Sequence, residues 1–291
     1  MILFKKKTGL QNWLNTAQKK GYKINFVPTM GALHEGHISL IDLSKQPDSI
    51  SVCSIFVNPT QFNDRKDFEK YPSTLENDIY LLEKSGCDVL FLPPVNEIYP
   101  DEASQKIHYD IGYLETILEG RYRPGHFQGV CMVMHRLLEI VKPNRLYLGQ
   151  KDFQQLIVIK RLIEIIGINE IIEVIISPTL REKNGLAMSS RNMRLTAEER
   201  GRASIIYRSL GMIKQNLLKK SFTELKNEAK IMIEKNGLKV DYIEIAETKD
   251  LSLVNEWDGK KKIIVLAAAI INEVRLIDNL LLNERKKNEY S

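Results

Sequence analysis

A chain of 291 residues that is 43% hydrophobic can bury one generous core or, more in keeping with this length, a larger and a smaller one. Charged residues at 27%, 16 glycines and 10 prolines without a biased window exclude long disorder, and the longest apolar run, 262–271, is too short for a membrane helix. The +5 net charge is scattered apart from short runs at Lys5–Lys7, Lys260–Lys262 and Arg285–Lys287, while Cys53, Cys87 and Cys131 form no CxxC pair, so neither a nucleic-acid surface, a disulfide framework nor a resident metal is expected. The first residues place three apolar side chains ahead of a basic run, the reverse of a secretory signal, and a cytoplasmic protein is expected. Strand-like runs at 24–27, 51–57, 88–92, 145–148 and 171–176 alternate with helical patterns at 37–45, 74–85, 129–141 and 152–166. The helix at 74 is expected to open on a Ser73-x-x-Glu76 capping box and to close at Gly86. This alternation predicts an α/β fold with a Rossmann-like parallel sheet, whose ligands bind at the carboxyl ends of the strands. Past residue 177 two consecutive helices, from Thr196 and from near Ser221, precede strands around 241–245, 263–268 and 274–277, which predicts a smaller α+β domain. The expected domains are 1–178 and 179–291.

The segment 27–37, ValProThrMetGlyAlaLeuHisGluGlyHis, leaves the first predicted strand and delivers His34 and His37 where a helix begins. A helix start gathers unpaired backbone N–H groups and positive dipole potential, so phosphate is expected there, and an HxGH after a strand and a glycine turn is how nucleotidyltransferases of the class I synthetase type hold ATP phosphates. Three further polar islands fall at strand ends or in the interdomain loop. Asn58 and Gln61 of AsnProThrGlnPhe follow the second strand and suit a small polar substrate. Lys151, Asp152 and Gln155 of GlyGlnLysAspPheGlnGln follow the fourth, where a lysine meets phosphate charge and an amide a substrate group. GlyLeuAlaMetSerSerArgAsn, 185–192, carries two hydroxyls and an arginine on a loop suited to clamp phosphates, like the KMSKS loop of that superfamily.

Together with TyrPro at 71–72 followed by ThrLeuGluAsnAsp at 74–78, PheLeuProPro at 91–94, LeuGluGlyArgTyrArgProGlyHisPheGlnGlyVal at 118–130 and ArgLeuIleAspAsn at 275–279, these islands make the chain resemble the pantoate–β-alanine ligase family from about residue 24 to 282. The resemblance implies ATP-dependent condensation of pantoate with β-alanine through an adenylate, with release of AMP and pyrophosphate. It implies that His34, His37, Lys151, Ser189, Ser190 and Arg191 hold phosphate, and that Met30, Gly31, Ala32, Leu33, His34, Glu35, Gly36 and His37, with Gly149, Gln150, Lys151, Asp152, Leu180 and Met188, surround the nucleotide. Gln61 and Gln155, with Met30, Asn58 and Tyr71 beside them, would bind the small substrates. Mg2+ would arrive on ATP, and a homodimer through the larger domain is implied. Departures from the family pattern stand at Ser73, Leu180, Asn184, Asn272, Glu273 and Val274. The competing expectations are an HxGH enzyme that leaves the nucleotide on its acceptor and a tRNA-binding accessory protein.

Overall fold

The computed structural model describes residues 1–101 and 107–283. In chain order the strands are β1 Ile2–Phe4, β2 Lys23–Thr29, β3 Ser49–Ile55, β4 Val89–Phe91, β5 Arg145–Gly149, β6 Glu173–Ser177, β7 Lys239–Glu247, β8 Ile263–Ile271 and β9 Val274–Leu281. The helices are α1 Lys7–Lys19, α2 Glu35–Ser44, α3 Arg65–Glu69, α4 Leu75–Lys84, α5 Val95–Ile98, α6 Leu118–Tyr122, α7 His126–Val141, α8 Phe153–Ile165, α9 Ala197–Ala203, α10 Ile205–Asn216 and α11 Phe222–Lys235. Two compact units result. The larger holds Met1–Gln150 and Gln154–Thr179; the smaller holds Lys151–Phe153 and the chain from Leu180. The assignment of Lys151–Phe153 to the smaller unit has no sign in the sequence.

The larger unit is a six-stranded sheet in the order β1-β4-β3-β2-β5-β6, with every pairing parallel. Parallel strands covered on both faces read as continuous apolar runs, and β2 buries Ile24, Asn25, Phe26 and Val27 in succession. One layer packs Val27, Cys53, Ile55 and Leu90 of the sheet against Leu33, Leu40, Ile41 and Leu82. From β2 the chain builds outward to β3 and β4 on one side and later to β5 and β6 on the other. The direction of winding therefore reverses between β2 and β5, the place where such sheets leave a crevice at the carboxyl ends. Thr29 and Gly149 end those two strands.

The structure corrects one expectation and adds a strand for which none was made. The helix at 74 is not capped by Ser73: Thr74 is its N-cap, and its hydroxyl donates to Asp78 Oδ1 at 2.9 Å instead of accepting a backbone N–H. The first residues form β1, in register with β4 from Ile2↔Val89 to Phe4↔Phe91. Three residues with Ile2 and Leu3 more than 40% exposed show no alternation to betray a strand.

The smaller unit packs α10 and α11 on an antiparallel sheet, β7-β8-β9. Ile263, Val265, Ala267, Ala269 and Ile271 of β8 face the cluster formed with Ile213, Leu225, Ala229 and Ile233, as a period of two requires. Capping boxes form at Thr196 with Glu199 and at Ser221 with Glu224. Three helices stand where two were expected, because the first is interrupted at Ser204, whose hydroxyl turns back onto Gly201 O at 2.7 Å. At the β8–β9 hairpin Asn272 takes φ 51°, and its amide reaches the Glu199 carboxylate. No helix among the described residues is long and apolar enough to cross a membrane.

Candidate functional site

Beyond β2 the backbone turns through two consecutive left-handed residues, Gly31 at φ 81° and Ala32 at φ 49°, before α2 begins. A side chain on Gly31 would stand 3.0 Å from Asp78 Oδ2 and 3.1 Å from Ile55 Cγ2, so glycine is favoured by crowding as well as by φ. Asp78, 1% exposed, accepts the Ala32 N–H on Oδ2 and the Leu33 N–H on Oδ1, both at 2.8 Å. The Gly31 N–H donates to Thr29 Oγ1 at 3.2 Å.

The two histidines cap α2 reciprocally. His34 Nδ1 accepts the Gly36 N–H at 3.1 Å, and His37 Nδ1 accepts the His34 N–H at 3.3 Å. A ring nitrogen that accepts carries no proton, so both imidazoles are neutral and bear their hydrogen on Nε2. The rings lie 4.0 Å apart at 34°, which sets two Nε2–H donors side by side. The expectation that unpaired backbone N–H groups await phosphate is thereby altered. The N–H groups of Gly31, Ala32, Leu33, His34, Gly36 and His37 all have acceptors within the loop or on Asp78, and the imidazoles take over as donors. Met30 is half-buried and Glu35 exposed.

Beyond β3, Asn58 and Gln61 belong to one tight turn. Asn58 Oδ1 accepts from the Thr60 N–H, the Thr60 hydroxyl and the Tyr99 hydroxyl, and its Nδ2 donates to Gln61 Oε1 and to Gly129 O, both at 3.1 Å. The Asn58 amide is thus consumed in aiming Gln61, whose Nε2 lies 2.8 Å from Met30 Sδ. Burial pushes the Tyr99 phenol up, keeping it a neutral donor. His126 donates from Nδ1 to Gln61 O at 2.7 Å; Arg123 Nη1 is 3.0 Å from its Nε2 and, being only a donor, fixes that tautomer. Gly129 sits against the turn so closely that a Cβ would meet Thr60 O at 2.3 Å and Gln61 N at 2.6 Å. Tyr71 is half-buried with its ring edge-on to Phe62 at 5.7 Å.

On α8 the adjacent glutamines divide. Gln154 is buried, donating to Leu114 O and Ile117 O and accepting the Glu119 N–H, whereas Gln155 is half-buried. Gly149 and Gln150, also half-buried, follow Leu148 at the end of β5.

Within the smaller unit, Lys151 Nζ lies 3.4 Å from Asp152 Oδ1, and Asn279 Nδ2 holds the Lys151 carbonyl at 2.9 Å. Asn279 follows Asp278, which is buried and gripped by Arg181 through two bonds of 2.6 and 2.9 Å. Burial pushes the Asp278 carboxyl up, and Arg181, the Asn279 N–H and the Lys151 charge pull it back. Arg181 also stacks 3.7 Å from the Tyr207 ring centroid. Ser189 caps a 3-10 turn, Ser190–Arg194, by accepting the Arg191 N–H at 3.3 Å; Ser190 is buried, while Met188 and Arg191 are half-buried. The Met188 N–H donates to the carbonyl of exposed Leu180. Asn184 Oδ1 takes the Leu186 N–H and its Nδ2 the Arg200 carbonyl, so an amide serves there.

Tyr99 and Gln154 have no role in the sequence reading, and Asp78 and His126 stand there in family segments without a role attached. Asp78 had a signal, an acid one turn before Leu82 on the buried stripe of α4. Among the described residues no group of three or more His, Cys, Asp or Glu is placed to hold a metal.

Residues 2–281 match the pantoate-beta-alanine ligase family. The chain is 45% identical over 268 residues to a pantothenate synthetase of Cytophaga hutchinsonii, covering 91% of this chain and 93% of that protein. Against the pantothenate synthetase of Azobacteroides pseudotrichonymphae it is 42% identical over 282 residues, or 96% and 99% of the two chains. Among solved structures, pantothenate synthetase from Thermus thermophilus superposes with a TM-score of 0.88 at 36% identity, covering 97% of this chain and 99% of that one. Pantoate-beta-alanine ligase from Francisella tularensis, complexed with beta-gamma ATP and beta-alanine, gives 0.81 at 40% identity over 98% and 99%.

Proposed function

Because the chain belongs to the pantoate–β-alanine ligase family, we propose that it joins pantoate to β-alanine at the expense of ATP through a pantoyl adenylate, releasing AMP and pyrophosphate. The observation that carries this reading is the paired-histidine cap of α2, two Nε2–H donors at the end of β2 beside the reversal of the sheet. A relative solved with beta-gamma ATP and beta-alanine supports ATP and β-alanine as two of the three substrates.

A free carboxylate does not acylate an amine in water because its oxygen is a poor leaving group. Attack of the pantoate carboxylate on the α-phosphorus forms one P–O bond and breaks another, and pyrophosphate departs. Charge builds on the phosphoryl oxygens, and fixed donors stabilise it without reorganising. His34 and His37 supply neutral N–H donors; Lys151, Ser189, Ser190 and Arg191 supply an ammonium, two hydroxyls and a guanidinium. The loop Met30–His37, with Gly149, Gln150, Asp152, Leu180 and Met188, is assigned to the nucleotide. Gln61 and half-buried Gln155 are assigned to pantoate, with Met30 and Tyr71 beside them and Asn58 acting through Gln61. In the second step the β-alanine amine attacks the acyl carbon, the acyl–O bond to AMP breaks, and the amine loses its proton. Gln61 is also assigned to the incoming amine.

Imidazole, ammonium and guanidinium groups are poor partners for Mg2+, so the cation is assigned to the ATP phosphates. We further assign the reaction to the cytoplasm and the working form to a homodimer through the larger unit, on family grounds.

The test is AMP release by purified protein with MgATP, omitting pantoate and β-alanine in turn. AMP in quantity is expected only with both; none under any combination overturns the reading. Lys151→Ala is expected to abolish single-turnover adenylate formation while the protein stays folded, and normal adenylation in that variant refutes the role of Lys151.

A further inference from the structure

We propose that Asp78 is a positioning residue for nucleotide activation: its buried carboxylate fixes the Gly31–Ala32 turn and thereby the direction in which His34 and His37 present Nε2. The proposal rests on the nucleotide role assigned above to residues 30–37. Two successive left-handed residues, one of them an alanine, form a backbone that does not hold itself, since the left-handed region disfavours any residue with a Cβ. The carboxylate holds it with one oxygen per N–H, Oδ2 for Ala32 and Oδ1 for Leu33. The Thr74 hydroxyl fixes the acid in turn, at 2.9 Å on Oδ1. Three donors converge on a buried group one helical turn from Leu82, which packs in the apolar layer that also holds Val27, Leu33, Leu40 and Ile55. Apolar packing at that position would cover the loop equally well but would leave two buried N–H groups without acceptors. The next residue is His34, whose own N–H closes the cap on His37, so rotation at residues 32–33 would redirect both imidazoles.

The Gln61 turn is held by Asn58, by His126 and by contact with Gly129, and it meets the loop at Met30 Sδ, ahead of the two residues whose N–H groups Asp78 holds. Loss of Asp78 should therefore weaken nucleotide binding and spare pantoate, a selectivity that general loosening of the fold would not produce.

Asp78→Asn keeps the shape and offers one acceptor oxygen where two are used, turning an NH2 group on one of the two loop N–H donors. The experiment measures calorimetric binding of a non-hydrolysable ATP analogue, with KM for pantoate at saturating ATP and circular dichroism as companions. The expected result is a Kd for the analogue raised about tenfold, with pantoate KM within twofold and the fold retained. An analogue Kd within twofold of the unsubstituted protein overturns the proposal, and so does an equal loss for both substrates. Should Asp78→Asn not accumulate folded, Thr74→Val is read in the same way: a rise of about threefold in the analogue Kd, restored by Thr74→Ser, supports the positioning role, and no rise overturns it. If the unsubstituted protein binds no analogue, the nucleotide reading itself fails, and that outcome is distinct from equal binding by the two proteins.

Discussion

Gly129→Ala is the sharpest probe of how the small-substrate site is held. The added methyl would stand 2.3 Å from Thr60 O, where an ordinary contact begins near 3.4 Å. Since α7 is anchored along its length by Val130, Val133, Met134, Leu137 and Leu138, the three-residue turn is the part that gives way, by about 1 Å. Overpacking of this kind costs about 1–3 kcal/mol of stability. The larger effect is on chemistry, because a reacting group misplaced by about 1 Å can lose about 10²-fold in rate. Steady-state AMP formation against pantoate at saturating ATP should show kcat/KM down by about two orders of magnitude. Affinity for a non-hydrolysable ATP analogue should be unchanged. A variant with pantoate kcat and KM within twofold of the unsubstituted protein would refute the argument that Gly129 sets the position of Gln61.

Other outcomes follow from the same contacts. Arg181→Ala strands the buried Asp278 carboxylate and removes the stack on Tyr207, so denaturant unfolding should show a loss of about 3–5 kcal/mol. Burial pushes Cys87 up to about 11, Cys131 up to about 12 and Cys53 well above an ordinary thiol, so iodoacetamide at pH 8 should leave all three unmodified in the folded protein and alkylate three in denaturant. Glu97 takes the Lys7 N–H at 2.9 Å where α1 lacks a side-chain cap, and that bond, with Lys6, holds its carboxyl below the usual glutamate range. A depressed folded pKa contributes stability above the unfolded value of about 4.3 and loses it as pH falls through the folded value. Glu97→Gln should therefore lower Tm at neutral pH, and its difference from the unsubstituted protein should vanish in acid; a difference that persists there would contradict this.

Strands and helices whose apolar period runs for several residues were legible in the sequence, as β2, β5, α7 and β8 show. Where a single local bond decided, they were not. Ser73-x-x-Glu76 satisfies the capping pattern, but the Thr74 hydroxyl had a buried carboxylate to bond, and the helix starts one residue later. The HxGH pair was visible as chemistry, yet nothing linear shows that the histidines cap each other and so fix their own tautomers. The glycine- and arginine-rich stretch 118–130 stood out as a family signature without a physical reason. Its reason is tertiary: Gly129 admits the Gln61 turn, and His126 clamps that turn's backbone. The roles of Asp78 and Asp278, both inside family segments, were illegible for a shared cause, since a buried carboxylate is defined by donors far away in sequence, here Ala32 with Leu33 and Arg181.

The sheet order has a consequence for synthesis. β2 pairs early with β3, but on its other side Ile24 waits for Asn144, 120 residues later. At about 5–20 residues per second the ribosome takes about 6–24 seconds to supply that strand. For that interval a strongly apolar strand has one bare edge, already extended against β3, and such an edge recruits any strand within reach. A nascent chain halted before residue 145 should thus be the species that chaperones hold, and the arrival of β5 is the event that lets them go.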